Sequence, residues 1–423
     1  KALLFESTRK GPRKNPGKST ARVYDSMPVR YWNAWLDDSR PHIFVWEPGA
    51  NTPIDITAQG KLFDSPGFSG IRSGLSSDTS LQATWSPDGR EIIFAAAINK
   101  NEMMTAETET QLFKISRQGG EPQQLTKPGH SYTRPRFAPN GKALYALQER
   151  TASAQHPYSL TRLYRVDTGE VLTAKFDRSV SSFTLSPDSK TVLFDAEDEG
   201  FTKLFQMPAS GGTPAKLFEV TEGGYTTPQY AGNKIIATYG SSTQPAEIAR
   251  IESKGHTLLT NFNAAKLAQL DMPKPEHFWF TAKNGKRIHS VLVPPPALDK
   301  SKKYPLLVFP HGGPNSMSGD SFTTRWNYHL LTSPGYALLM TNYTGSTGFG
   351  EQFADDIERD VLRGPAQDPK LRQLIRQVQG LLAEGFRPVI FCRFRPTAHY
   401  LAEQLQEELI FTKSVKIILR TKN

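Results

Sequence analysis

A short apolar strand, a turn rich in Gly or Pro, and a second short strand ending near Leu-Thr recur along the first 260 residues. The copies are His42–Thr57 (HIFVWEPGANTPIDIT), Leu112–Thr126 (LFKISRQGGEPQQLT), Leu163–Ala174, Leu204–Phe218 and Glu247–Thr260, and the last three intervals are 51, 41 and 43 residues. A second pattern interleaves with it: Trp85–Ala96 (WSPDGREIIFAA), Phe137–Leu147 and Leu185–Ala196, spaced 52 and 48 residues, with a degenerate copy at Tyr230–Tyr239. A period of about 40–50 residues holding four short strands is the signature of a β-propeller. In Ser-Pro-Asp-Gly the Pro presets φ and the Gly supplies φ > 0, which makes a tight turn. The apolar run that follows reads as a strand buried between neighbouring blades. No blade can bury both faces alone, so blades must stack. The alternative, a β-sandwich, lacks such self-similarity at a fixed period. Five blades are counted; if the ring needs more, they would lie before Lys1, and an incomplete ring would leave two open edges prone to aggregation.

Composition agrees with many short strands and turns. Among 423 residues there are 32 Gly and 31 Pro, hydrophobic residues reach 37 %, and aromatics reach 10 %. The last figure argues against a disordered chain. The net charge of +10 is uneven: residues 1–22 hold seven Lys/Arg against Glu6 alone, and residues 368–423 hold ten against five acids. The body between is nearly neutral and offers no gathered positive face for phosphates, so no nucleic-acid partner is expected. The single cysteine, Cys392, rules out a disulfide framework and a cysteine-based metal site; no metal and no cofactor is expected. It reads as a small buried residue in a strand. No apolar run reaches the ~18 residues of a membrane span. The chain begins at Lys1 rather than Met, which reads as a truncation and leaves the compartment open.

After about residue 270 the texture changes. Phe278–Ala282 and Arg287–Val293 flank Lys283-Asn284-Gly285-Lys286 and read as a hairpin with an Asn-Gly turn. A buried strand, Pro305–Pro310 (PLLVFP), ends in His311-Gly312-Gly313-Pro314. A helix is expected over Thr324–Thr332, a second buried strand over Tyr336–Thr341, then a Gly-rich loop, Asn342 to Gly350 (NYTGSTGFG), and a helix over Glu351–Leu362. Strand, helix, strand with short links is a βαβ unit of a parallel sheet.

The segments LLVFPHGGP and GYALLMTNYTGSTGFGEQFADDI, in this order and behind a propeller, resemble the opening of the catalytic α/β-hydrolase domain in the prolyl oligopeptidase family of serine peptidases, in its acylaminoacyl-peptidase and dipeptidyl-peptidase-like branch. The Ser-Pro-Asp-Gly repeat resembles the blades of TolB-type and peptidase propellers. The resemblance runs to about Gln367. It implies a peptide substrate, a propeller domain over residues 1–268 and an incomplete hydrolase domain over 269–367. Acyl transfer needs a nucleophile, a base and donors aimed at the developing oxyanion. Glycines after an early strand let backbone N–H groups approach a substrate oxygen. By resemblance Gly313 is the oxyanion-hole candidate, with Gly312 beside it and His311 shaping the loop; the alternative is a turn that merely closes a strand. Tyr343 is a substrate-binding candidate. The acidic run Asp195, Glu197, Asp198 and Glu199 reads first as a solvated turn; family peptidases that hold a substrate's α-amine on propeller carboxylates make Glu197, Asp198 and Glu199 binding candidates.

The nucleophile is missing. The family carries Gly-x-Ser-x-Gly on a strand-to-helix elbow, with Asp and His later, and no Gly-x-Ser-x-Gly occurs in this sequence. Ser69, Ser316, Ser318 and Ser346 lie outside any elbow, and His329 is expected on a helix surface. No catalytic residue is therefore assigned. Gly11–Thr20 (GPRKNPGKST) imitates a phosphate loop, but five residues separate Gly11 from Gly17 where four are needed, and Pro12 and Pro16 remove backbone donors; a basic surface loop is the reading preferred.

Residues 368–423 change character again. Asp368-Pro369 suits an N-cap and first turn, and Leu371, Leu374, Ile375, Val378, Leu381 and Leu382 mark one helical face. Pro388–Phe394 (PVIFCRF) reads as a buried strand, Pro396–Leu409 as a helix and Ser414–Leu419 as another strand. This αβαβ tail resembles the start of the second motor lobe of superfamily-2 helicases, without the later motifs or the lobe with a phosphate loop. The expectation is a catalytically incomplete peptidase-family chain joined to an unrelated fragment. The alternative is a propeller that binds a peptide or protein without chemistry. A nucleic-acid motor rests on the tail alone.

Overall fold

The computed structural model describes residues 2–10, 23–24, 28–31, 33–36, 39–72, 79–151, 158–282 and 285–357. The imitation phosphate loop, Lys283 and Asn284 of the hairpin turn, and the whole 368–423 tail with Cys392 lie outside the described residues.

Strands dominate. Five antiparallel sheets follow one another along the chain. The first has three strands, Leu3–Arg9, Arg40–Trp46 and Ile54–Asp55. The second runs Thr84–Trp85, Glu91–Ala97, Thr110–Ser116 and Gln123–Gln124. The third runs His130–Phe137, Leu144–Arg150, Arg162–Arg165 and Glu170–Val171. The fourth runs Val180–Leu185, Thr191–Asp198, Phe201–Pro208 and Ala215–Lys216. The fifth runs Gly224–Ala231, Lys234–Ser241, Gln244–Glu252 and Gly255–Leu258. In each four-stranded sheet the strands lie in chain order, as meanders do. All five are open; a closed sheet is absent among the described residues.

The repeated turn forms for the reason its sequence suggests. In Ser86–Gly89 the Ser86 hydroxyl donates to Asp88 (2.6 Å), Asp88 accepts from the Arg90 amide (3.1 Å), and Gly89 takes φ +69°. The fourth-sheet copy repeats this with Ser186 and Asp188, but Ser189 stands at φ +62° where the others have Gly. Its hydroxyl accepts from the Asn140 amide of the preceding copy (3.0 Å), so it links two turns. The strand after each turn is buried on both faces: Ile92, Phe94 and Ala96 on one side and Ile93, Ala95 and Ala97 on the other are all nearly inaccessible.

Separate cores fill the gaps between successive sheets. Ile43 and Val45 of the first meet Ile92, Phe94 and Phe113 of the second. Ala95 and Leu112 meet Ala146 of the third. Tyr145, Leu147 and Leu163 meet Phe194, Phe205 and Met207 of the fourth, and Leu193 and Leu204 meet Ala237 and Ala249 of the fifth. Burying a Leu- or Phe-sized side chain contributes about 1.5–3 kcal/mol, so each interface alone outweighs the hydrogen bonds of a single turn.

A mixed sheet follows. The hairpin Glu276–Thr281 and Arg287–Val293 pairs antiparallel with Ala337–Asn342, which pairs parallel with Leu306–Val308. The connection between the parallel strands contains the helix Tyr328–Thr332, shorter than the Thr324–Thr332 expected, because Asn327 caps it by accepting from the His329 and Leu330 amides. His329 does not lie on the helix surface as expected. It is buried, and Nε2–H donates to the Pro273 carbonyl at 3.0 Å, because this helix face packs on the linker into the mixed sheet. A last helix begins at Glu351 and is described to Asp355.

Candidate oxyanion-loop site

The two parallel strands end side by side, and their carboxyl ends launch the two loops of interest: Phe309 to Asn315, and Tyr343 to Gly350. Open α/β sheets place ligand sites at such ends.

The loops lock together. The His311 ring lies flat on the Tyr343 ring (4.5 Å between centroids, 15° between planes), and the Tyr343 hydroxyl donates to the His311 carbonyl. Burial pushes the Tyr343 phenol up to about 12, so it keeps its proton as a donor. Ser346 Oγ lies 2.7 Å from His311 Nε2 and 2.6 Å from the Tyr343 carbonyl. A carbonyl has no proton to give, so the hydroxyl donates to it and accepts from Nε2–H. That polarity is the reverse of a nucleophile donating to its base, and Ser346 is fully buried. Asn315 pins the other end of the first loop by donating to the Gly345 and Ala354 carbonyls, both at 3.0 Å.

Between these anchors Gly312 is buried and Gly313 is exposed. Gly313 takes φ +145°, and a Cβ there would sit 2.9 Å from the Asn315 amide. The result is an accessible backbone segment on a braced loop, the kind of group that can meet a developing negative oxygen.

The acidic run is brought to this place but is divided in its work. Thr347 donates to Glu197, and the Glu199 amide donates to the Gly348 carbonyl at 3.0 Å, so the turn after Thr191–Asp198 abuts the Gly-rich loop. Burial raises the Glu197 carboxyl above its usual range, with the Thr347 bond opposing. Asp198 is buried between Lys203 (2.7 Å) and Arg178 (2.9 Å). Burial alone would raise it, but the two cations outweigh burial and hold its carboxyl below the usual range. Asp195, farther back in the strand, accepts from the Ser182 hydroxyl and is pushed by burial to about 6. Of the three binding candidates only Glu199 faces solvent.

Sequence reasoning missed Ser346 and Asn315 as braces. Their signal was positional: each sits in a Gly-rich turn directly after a parallel strand. It also missed a histidine pair behind the site, His289 buried and His277 half-buried. Asn342 Nδ2 lies 2.8 Å from His289 Nδ1, and His289 Nε2 lies 3.2 Å from His277 Nδ1. Gly200, in the turn after Asp198, presses on this pair; at φ +89° a Cβ would fall 2.3 Å from His289 Cε1. Gly200→Ala is expected to destabilise by more than about 1 kcal/mol and to lower the unfolding midpoint. An unchanged midpoint would show that the contact yields freely.

Among the described residues, no group of three His, Cys, Asp or Glu is placed to hold a metal, and no helix is long and apolar enough to cross a membrane.

The fold defines the class. Acylaminoacyl peptidase from Pyrococcus horikoshii superposes on 86 % of this chain with a TM-score of 0.60 at 18 % identity, covering 54 % of its own chain. The chain therefore shares the acylaminoacyl-peptidase fold over most of its length. In sequence it is similar to dipeptidyl-peptidase 5 of Porphyromonas gingivalis (26 % identical over 357 residues, 81 % of this chain and 50 % of that protein) and of Trichophyton equinum (28 % over 401 residues, 86 % and 53 %). The chain spans about half the length of the curated relatives it matches. No family model matches it.

Proposed function

We propose that this chain carries the oxyanion-stabilising and substrate-facing side of a serine peptidase of the prolyl oligopeptidase family, acting on short peptides, and that as a 423-residue chain it does not itself hydrolyse them. The observation that carries the reading is the His311–Tyr343–Ser346 lock, which holds Gly313 exposed between two braced loops. A preorganised donor needs such bracing, because a loop that rearranges during reaction gives back what it stabilises. The likeness to dipeptidyl-peptidase 5 supports the peptide substrate. The stacked sheets are read as blades of a propeller over residues 1–268, with the hydrolase part at 269–367. The tail at 368–423 is read as unrelated, on its sequence alone.

Inactivity follows from the nucleophile. An oxyanion pocket lowers the barrier only for an attack that something makes. Ser346 is buried with its proton committed to a carbonyl, and the sequence has no Gly-x-Ser-x-Gly elbow. The purified chain is expected to show no turnover of chromogenic dipeptidyl or aminoacyl substrates and no labelling by a fluorophosphonate. Stoichiometric labelling of one serine would overturn this. Saturable peptide binding without turnover would favour the second reading, a binding module, which the solvent-facing Glu199 beside the Gly-rich loop supports.

A further inference from the structure

The third, fourth and fifth sheets each open with a strand whose residues correspond through the repeat. Counting back from Phe137, Leu185 and Tyr230, the preceding residue is Arg136, Thr184 and Gln229 in turn. These corresponding positions meet in space. Arg136 Nη1 donates to Thr184 Oγ1 at 3.1 Å and to Gln229 Oε1 at 3.0 Å, so one side chain of the third sheet reaches the fourth and the fifth. The Arg134 amide donates to Gln82 Oε1, in the segment entering the second sheet, at 2.6 Å. The opening edges of four sheets thus converge on Arg134 and Arg136.

The backbone is bent to present them. Gln82, Arg134 and Thr227 stand at φ +50°, +53° and +49°, where residues other than Gly seldom sit. Strand register slips between Thr133 and Arg136, and again between Thr226 and Gln229, as at β-bulges, which re-aim side chains. Arg134 is exposed and Arg136 half-buried. Burial, then the charge of Arg134, lowers the Arg136 pKa, so two like charges stand together in a partly dry place. Neither guanidinium has an ion-pair partner among the described residues. Asp195 feels the Arg134 charge, but its carboxylate accepts from the Ser182 hydroxyl and the Thr227 amide. Among the described residues nothing bonds to Nε and Nη2 of Arg136, the fork that grips a carboxylate or phosphate with two parallel hydrogen bonds.

We propose that Arg134 and Arg136 form a binding site for a small oxyanion group, the terminal carboxylate of a peptide or an inorganic phosphate. Thr184 and Gln229 hold the Arg136 fork in place before the anion arrives, which spares the ordering cost of a free arginine. The anion relieves the repulsion between the two guanidiniums. The site goes beyond the peptidase reading and does not need it. Thr184, the counterpart of Arg136, pairs with Leu193 near the beginning of Thr191–Asp198, whereas the turn that abuts the Gly-rich loop follows the other end of that strand.

The test is isothermal titration calorimetry of the full chain at low ionic strength with three probes: inorganic phosphate, trialanine, and trialanine amidated at its C-terminus. Saturable binding of phosphate or of free trialanine is expected, and weaker binding of the amide than of free trialanine marks the peptide carboxylate as a ligand. Arg134→Gln and Arg136→Gln are each expected to weaken binding by roughly tenfold or more. Arg136→Lys keeps the charge without the fork, so it is expected to restore only part of the affinity. Arg250→Gln removes one positive charge from a third strand, where Arg250 pairs with Glu252, and is expected to change nothing. No saturable binding of phosphate or free trialanine, affinity that survives both glutamine variants, or an equal loss in Arg250→Gln would each overturn the proposal. Circular dichroism melts establish folding; if Arg136→Gln unfolds, Arg134→Gln and Arg136→Lys carry the same comparison.

Discussion

Replacing Asp320 with Ala is expected to lower stability by about 2–5 kcal/mol, since it removes a charged acceptor and strands two buried donors. Asp320 comes from the loop before the helix of the mixed sheet and is 5 % exposed. Its two carboxylate oxygens accept from the Gly223 amide (2.6 Å) and the Ser242 amide (2.7 Å), which flank strands of the fifth sheet. Its own amide donates to the Gly200 carbonyl in the fourth sheet at 3.1 Å. One residue therefore ties the mixed sheet to two sheets of the row. Asp320→Asn keeps the shape but points an N–H at one of the donors, so a partial loss is expected. The denaturant midpoint measures the cost, and limited proteolysis of the linker near residues 269–275 reports separation of the parts. A loss under about 0.5 kcal/mol, the range of an ordinary surface change, would show that Asp320 is no clamp.

Acid is expected to weaken the protein through His289. Asn342 fixes the chemistry here. Its Oδ1 accepts from the Ser318 amide at 2.7 Å and its Nδ2 donates to the Ser318 carbonyl at 2.9 Å, so the amide cannot flip. The remaining Nδ2 proton faces His289 Nδ1, which must accept and so must be unprotonated. His289 Nε2–H then donates to His277. Burial, then His277 and Lys203, lower the His289 pKa from 6.5 to about 4. Burial also lowers His277, against a pull upward from Asp320. With a depressed folded value, the unfolded chain holds more protons between pH 6.5 and about 4, so stability is present above that window and falls as pH drops through it. The full loss is about 3 kcal/mol. Asp195 acts oppositely: its folded value is raised from 3.8 to about 6, so over that range it favours the folded state as pH falls. The comparison that isolates His289 is wild type against His289→Gln at pH 7 and pH 4.5. The variant is expected to lose less stability between them; equal losses would refute the role given to the imidazole.

Much of the architecture was legible in the residues. The Ser-Pro-Asp-Gly copies marked the turns because Pro and Gly restrict φ locally, with no help from distant chain. The strands Leu306–Val308 and Ala337–Asn342 were legible because each is a short apolar run between turn signals. Helix limits were less so. Asn327 as N-cap shortened the helix expected from Thr324, and His329 went inside because a linker 56 residues earlier offers it a carbonyl.

The sequence by itself determined the repeat, the order of the elements and the lack of a Gly-x-Ser-x-Gly string, because each depends on residues a few positions apart. Only the tertiary structure decided what the loops do. It turned Ser346 into a brace for His311, spent Asp198 on Lys203 and Arg178, left Gly313 and Glu199 open, and joined His289 to His277 behind the site. The physical reason is that burial and pairing reset a polar group's chemistry, and both come from partners far away in the chain.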